Sequence, residues 1–377
     1  MNFSYWEQQS FLAETDVAVI GGGITGLQAA LHLNRLEPSL KVLVLEKGIL
    51  PEGASTKNAG FACFGSISEI LADIETASEN EIFTLVEKRW TGLQKLRETV
   101  GDSNLDFEQS GGYEVFDQDA DFEKCAGKID YFNQILHHIT NENTIYSIKD
   151  EHIQDFGFKN VKHLIFNSGE GQLNAGKMIK ALISKTMAAG INMLNGIKVL
   201  SLQPVEKGVI LILAGGALLK VKKVIVATNG FAKELLPELD VVPARGQVLV
   251  TSKIDNLAVN GCFHYEQGYY YFRNIDGRIL LGGGRNLDFK TEATSKSGLT
   301  NLVQDKLEEM LRKMIIPGKS HKIEYRWSGI MGFGKQNAPI IKKVKENIFC
   351  AVKMQGMGVA IGTLAGQEVA ELVIKDL

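Results

Sequence analysis

A chain of 377 residues is too long for one simple core and calls for about two domains. Its net charge of −3 and 45% hydrophobic content give no electrostatic case for a nucleic-acid or acidic-membrane partner. Four cysteines (Cys63, Cys125, Cys262 and Cys350) lie far apart with no C-x-x-C spacing, which signals neither a zinc site nor a disulfide framework.

In chain order, Met1 to Glu14 has no basic region ahead of an apolar core, unlike a secretory signal, and no apolar run is long enough for a membrane span. The expected location is cytoplasmic. Val17-Ala18-Val19-Ile20 reads as a buried parallel strand, because strands covered on both faces lose polar alternation. Gly21, Gly23 and Gly26 satisfy G-x-G-x-x-G, a turn that needs glycine for tight geometry, for close approach of backbone to a pyrophosphate, and for helix-on-strand packing. The helix through Ala29, Ala30, Leu31 and Leu33 then points its N–H groups and dipole at the phosphates. A second strand ends at Leu45, and Glu46 follows about 25 residues after the first glycine, where a ribose-binding carboxylate belongs. Gly53 to Gly60 is small and polar. It suits a second ring of backbone donors around a ligand, or a plain surface loop.

Residues 66–100 read as two helices, with Ile82, Val86, Trp90 and Leu93 on one apolar face. Leu105 to Phe116 alternates around Gly111-Gly112 and is expected to form a hairpin. A polar helix from Ala120 to Ile139 carries His137-His138, which diverge by roughly 100° and do not chelate. A strand at 162–166 leads to a helix that Asn174 should cap. Strands follow at 196–200 and 223–226. Tyr269 to Arg273 pairs through Asp276-Gly277 with the strand from Arg278; Tyr270 and Phe272 share one face, and Tyr269, Tyr271 and Arg273 the other. Leu302 to Leu311 marks a scaffold helix, and a glycine turn at 355–358 opens the final one.

The Gly21–Gly26 fingerprint, Glu46-Lys47 and Ala54-Ser55-Thr56-Lys57-Asn58-Ala59-Gly60 resemble the glutathione-reductase-type FAD fold of amine and amino-acid oxidases. That family includes D-amino-acid, glycine and sarcosine oxidases and γ-glutamylputrescine oxidoreductase; Ser4-Tyr5-Trp6-Glu7 is similar to the last branch. Ala227-Thr228-Asn229-Gly230, the P-x-R-G-Q of Pro243 to Gln247, the segment from Arg326 to Ile341 and Gln355 to Ala360 match further family motifs. The resemblance implies an α/β fold: a Rossmann-like FAD domain over 1–100, 167–242 and 326–377, with an inserted α+β substrate domain, built on a mainly antiparallel sheet, over 101–166 and 243–325.

The same resemblance implies FAD bound by Gly21, Gly22, Gly23, Ile24, Thr25, Gly26, Glu46, Lys47, Ser55, Thr56, Lys57, Asn58, Ala59, Gly60, Val199, Ala227, Thr228, Asn229, Gln355, Gly356, Met357 and Gly358, with no metal. It implies hydride transfer from a C–H bond beside an amine nitrogen to flavin N5, followed by hydrolysis of the imine. The partner is a small-molecule amine; the electron acceptor (O2 or a carrier) and the oligomeric state stay open. Tyr270 matches a substrate-contacting tyrosine. Glycine and D-amino-acid oxidases hold the substrate carboxylate with an arginine in the region of Met331, which is apolar here. That favours an amine without a short-range carboxylate, such as a γ-glutamylated polyamine. The alternative is D-amino-acid or glycine oxidation with carboxylate recognition moved to Lys57, Arg273 or Lys353. Leu280 stands where sarcosine-type oxidases place an oxygen-activating lysine, leaving oxidase and dehydrogenase both open. Cys350 lies near a region of covalent flavin attachment, although its apolar strand points to burial. A flavin-holding partner protein without catalysis is the reading from another class.

Overall fold

Residues 17–20 form a strand with every side chain buried, paired in parallel with Val42–Leu45 on one side and Lys223–Val226 on the other. It sits inside a six-stranded sheet ordered Ile340–Lys345, Ile348–Val352, Lys223–Val226, Val17–Ile20, Val42–Leu45, Asn192–Leu194, in which only the Ile340–Lys345 edge is antiparallel. The computed structural model describes residues 4–12 and 15–377; Met1 to Phe3, Ala13 and Glu14, part of the stretch read above as no secretory signal, lie outside the described residues. The apolar run of this strand is explained by its two neighbours. Val17 and Val19 pack under the helices Ile24–Leu36, Glu79–Val100, Ala175–Ala188 and Gly358–Lys375. Ala18 and Ile20 pack under a three-stranded antiparallel sheet, Val199–Val205, Gly208–Leu213 and Leu218–Val221.

Small residues set how closely the helices approach. A Cβ on Gly366 would sit 2.5 Å from the Thr25 carbonyl oxygen, and one on Gly362 would lie 3.1 Å from Ile24. The final helix therefore lies directly on the helix that follows the glycine turn. Asn174 caps its helix as expected, its Oδ1 accepting the Lys177 N–H at 3.0 Å.

The second sheet has eight strands, ordered Ile323–Phe333, Val242–Thr251, Arg278–Gly283, Tyr270–Ile275, Cys262–Tyr265, Gly112–Phe116, His163–Asn167, Tyr146–Ile148. All its pairs are antiparallel except Cys262–Tyr265 with Gly112–Phe116. The turn Asp276-Gly277 has φ of 50° and 73°, the left-handed pair that a two-residue hairpin needs. The strand Ile323–Phe333 belongs to this sheet, so a division of the chain at 326 cuts through it, and the first sheet resumes at Ile340.

Two local expectations differ from the structure. The hairpin over 105–116 is absent: Asp102–Leu105 is a short helix, and Gly112–Phe116 pairs with strands distant in sequence. Gly111, at φ 72°, turns the chain where the Phe166 ring occupies the space of a side chain. The polar helix is broken at Gly127 into Asp119–Ala126 and Ile129–Thr140, with His137 and His138 exposed at its end. Among the described residues, no helix is long and apolar enough to cross a membrane.

Candidate active site

The glycine turn, the Ala54–Lys57 helix, the Asn229 and Gln355 turns and the inner face of the second sheet enclose a cavity of about 530 Å³. At one end Gly21, Gly23, Ile24 and Thr25 line it with the first turn of the helix, whose N–H groups lack carbonyls behind them and favour negative charge. Gly22 and Gly26 hold the turn rather than line it. The Gly22 N–H donates to Glu46 Oε2 at 2.9 Å, and a Cβ on Gly26 would run into the Gly21 carbonyl oxygen. Glu46 is buried at the end of its strand, and its other oxygen accepts the Gly48 N–H at 3.0 Å. A carboxylate has about four acceptor positions, so lone pairs remain for a sugar hydroxyl. Lys47 also lines the cavity, stacked 3.6 Å from the centroid of Phe231.

The segment at 54–60 is locked by its own side chains. Asn58 donates through Nδ2 to the Ser55 carbonyl at 2.8 Å and accepts the Gly60 N–H at 2.8 Å. Ser55 Oγ accepts the Ile24 N–H at 3.0 Å, tying this segment to the glycine turn. The Lys57 carbonyl accepts the Trp327 indole N–H at 2.9 Å, which gives the tryptophan of the C-terminal motif its task. Ser55, Lys57, Asn58 and Ala59 line the cavity. Thr56 and Gly60 do not: the Thr56 hydroxyl donates to the Pro51 carbonyl at 2.6 Å, and the Gly60 carbonyl accepts from Arg273. Val199, Ala227, Thr228 and Asn229 close another side. Asn229, at φ 46°, accepts the Met354 N–H at 3.0 Å and so fixes the turn of Gln355, Gly356, Met357 and Gly358, which also faces the cavity.

The far end is lined by Phe61, His264, Tyr269, Tyr271, Arg285, Met331 and Phe333. Here the structure corrects three substrate-side expectations. Tyr270 is fully buried on the opposite face of its strand, in a cluster with Phe263 and Phe272; the alternation is as read, but Tyr271 faces the cavity. Lys353 is buried at φ 66°, packed on Gly334 beside Asp240, outside the cavity wall; burial draws its pKa down. Arg273 donates to the Gly60 and Leu173 carbonyls at 2.8 and 2.9 Å, so it braces a turn. Cys350 lies in the apolar cluster beneath the three-stranded sheet, and burial pushes its thiol up to about 11. Lys57 remains on the cavity wall.

Sequence reading passed over Tyr271, His264, Arg285 and Cys63. Burial raises the Tyr271 hydroxyl to about 12, so it keeps its proton. His264 Nε2 donates to Glu170 Oε2 at 2.8 Å; burial pulls its pKa down, but the Glu170 charge and hydrogen bond outweigh this and push it up to about 9. The Cys63 thiol lies within 4.8 Å of both groups, and burial pushes its pKa up. The signal for Arg285 was present: three glycines, Gly282 to Gly284, precede one basic residue at the exit of a strand.

This geometry has known counterparts. The family model for FAD dependent oxidoreductases matches residues 16–372. The chain belongs to that family. Within it, the chain is 26% identical to γ-glutamylputrescine oxidoreductase of Escherichia coli, over 96% of this chain and 84% of the relative. It is 24% identical to the probable oxidoreductase OrdL of Haemophilus influenzae, over 97% and 84%. Glycine oxidase from Bacillus cereus shares the fold, with a TM-score of 0.75 at 19% identity over 97% of this chain and 96% of that one. Iminodiacetate oxidase from Chelativorans superposes with a TM-score of 0.74 at 18% identity, over 96% of each chain.

The cavity fits the family's cofactor. Gly21 leaves no room for a side chain, since a Cβ there would lie 2.7 Å from the Ala227 carbonyl oxygen, and backbone alone faces the ligand. Thr228 also lines the cavity, and its Oγ1 is buried without a hydrogen-bond partner. FAD would rest its diphosphate on the Gly21–Thr25 turn and its ribose on Glu46.

Proposed function

We propose that this flavoprotein oxidises the C–N bond of a small amine or amino-acid-like substrate to an imine, which water then hydrolyses. The observation that carries the reading is continuity. One cavity runs from the helix N-terminus at Gly23 to the aromatic end at Tyr271 and Phe333, so a cofactor and a small substrate share one enclosure. Bound FAD supplies the hydride acceptor for the carbon beside nitrogen. The chain supplies position and environment. Phe61 stacks edge-on with both Tyr271 and His264, at 5.6 and 5.3 Å between ring centroids, giving a dry wall that keeps the substrate aligned. Tyr271, on the cavity wall, holds its proton. His264, paired with Glu170, holds a proton beside the cavity at neutral pH.

Anaerobic titration of the yellow holoenzyme with γ-glutamylputrescine, glycine and D-alanine tests this. Bleaching of the flavin by at least one amine supports the reading. Retained FAD that no amine or amino acid reduces would make the protein a flavin-holding partner. A colourless protein that cannot be reconstituted with FAD overturns the cofactor assignment for this chain. Admitting air after bleaching separates an oxidase from an enzyme that needs a carrier.

A further inference from the structure

Of the nine arginines in the chain, eight have a hydrogen bond or ion pair to a protein group. Arg285 has neither among the described residues, although it is largely shielded from solvent on the wall of the cavity. Its guanidinium is held by aromatic faces instead: 4.1 Å from the centroid of Phe333, 5.1 Å from Phe289 and 5.5 Å from Tyr269. Stacking fixes the plane of the group while leaving its N–H edge unspent. Burial lowers the pKa of Arg285, as expected for a cation withdrawn from water without an anion beside it. A planar fork of five donors, desolvated and unpaired, suits a carboxylate held by two parallel hydrogen bonds. Gly283 and Gly284, at φ of 119° and 79°, set the exit of the strand that delivers it. The Tyr271 ring, which lies over Gly282 on the same wall, adds a protonated hydroxyl near the cation.

We propose that Arg285 is the anchor for a carboxylate on the substrate, so that the enzyme takes a carboxylate-bearing amine. This rests on the amine-oxidation reading and sharpens it. It also bears on the substrate class favoured from Met331 alone: Met331 is on the same cavity wall and is apolar, but the cation stands just past the end of another strand. None of the three cations considered from sequence occupies this position.

The test uses the FAD-loaded protein and small probes. Acetate and benzoate are titrated against the flavin absorbance spectrum, with acetamide and benzamide as neutral matches. The expected result is saturable perturbation by the carboxylates and not by the amides, weakened at least tenfold in R285M and less in R285K, with FAD retained. Where R285M loses FAD, the R285K comparison and the acid–amide contrast in the unmodified protein decide. Carboxylates that bind R285M or R285K as tightly as the unmodified protein, or amides that bind as tightly as acids, overturn the proposal. A changed flavin spectrum in ligand-free R285M, with carboxylate affinity unaltered, would place the cation on the flavin and also overturn it. The two readings fail separately. Carboxylate binding through Arg285 without reduction by any amine removes the oxidation reading alone. Equal bleaching by carboxylated and uncarboxylated amines, indifferent to R285M, removes the carboxylate anchor alone.

Discussion

Single side chains do most of the joining at the cavity. Ser55 Oγ satisfies the Ile24 N–H that the helix leaves unpaired, and S55A removes that acceptor. Capping losses of this kind cost about 1 kcal/mol, so FAD should bind about fivefold more weakly, measured by fluorescence titration of apoprotein. His264 gives a pH prediction. Its pKa, raised to about 9 from 6.5, means the folded state holds its proton more tightly than the unfolded chain. The stabilisation is fully present below 6.5 and is lost as pH rises through 9, a difference of about 3 kcal/mol at full effect. Urea unfolding of the apoprotein across this range should show the fall, and E170Q should flatten it. Glu114, pushed up to about 7 by burial, adds a separate fall between 4.5 and 7. At this scale the sequence was legible where one residue type has one use, as with Gly21 and Glu46. It was silent on parity. Alternation separates Tyr270 from Tyr271, but which of them faces the cavity depends on what packs against each face of the sheet, and that is fixed by distant strands.

Helices and turns were easier to read than their partners. The glycine turn, the two helices after residue 66 and the Asp276-Gly277 hairpin carry local signals, and each forms. The strand Gly112–Phe116 carries the same alternation as a hairpin arm, yet its neighbours are Cys262–Tyr265 and His163–Asn167, which no local pattern announces. The helix Glu79–Val100 starts with a capping box in which Ser78 and Glu81 satisfy each other's backbone N–H groups at the surface. S78A should destabilise the protein by about 1 kcal/mol in thermal unfolding while leaving FAD affinity unchanged. G26A should behave in the opposite way to a surface change, because its methyl meets the Gly21 carbonyl at the phosphate turn. Overpacking costs about 1–3 kcal/mol, and here it should appear as protein purified without flavin.

Across the whole molecule, the P-x-R-G-Q motif turns out to be a clamp. Arg245 is bidentate on Glu292, at 2.7 and 3.0 Å, and Gln247 donates to the same carboxylate at 2.9 Å. Breaking a buried ion pair from one side costs about 3–5 kcal/mol, so E292A should lower the melting temperature strongly. FAD in the cavity between the two sheets would stabilise only the folded state; at a hundredfold excess over its Kd this is worth about 2.7 kcal/mol. Holoprotein should therefore melt above apoprotein in a scan of both. The fold was legible from motifs spread along the chain, and the substrate end was not, because its residues come from separate strands with no shared spacing.

The last helix has a consequence for how the protein is made. Gly362 and Gly366 seat it directly on the helix that bears the phosphate turn, and the Gln355–Gly358 turn that precedes it closes the cavity. A ribosome finishes the glycine fingerprint after residue 26 but does not deliver the closing wall until more than three hundred residues later. Until then the growing chain carries a half-built flavin seat, with the part of the Ile24–Leu36 helix that meets Gly362 and Gly366 uncovered. The seat is complete only once the Gln355–Gly358 turn has folded against the glycine turn that was made first.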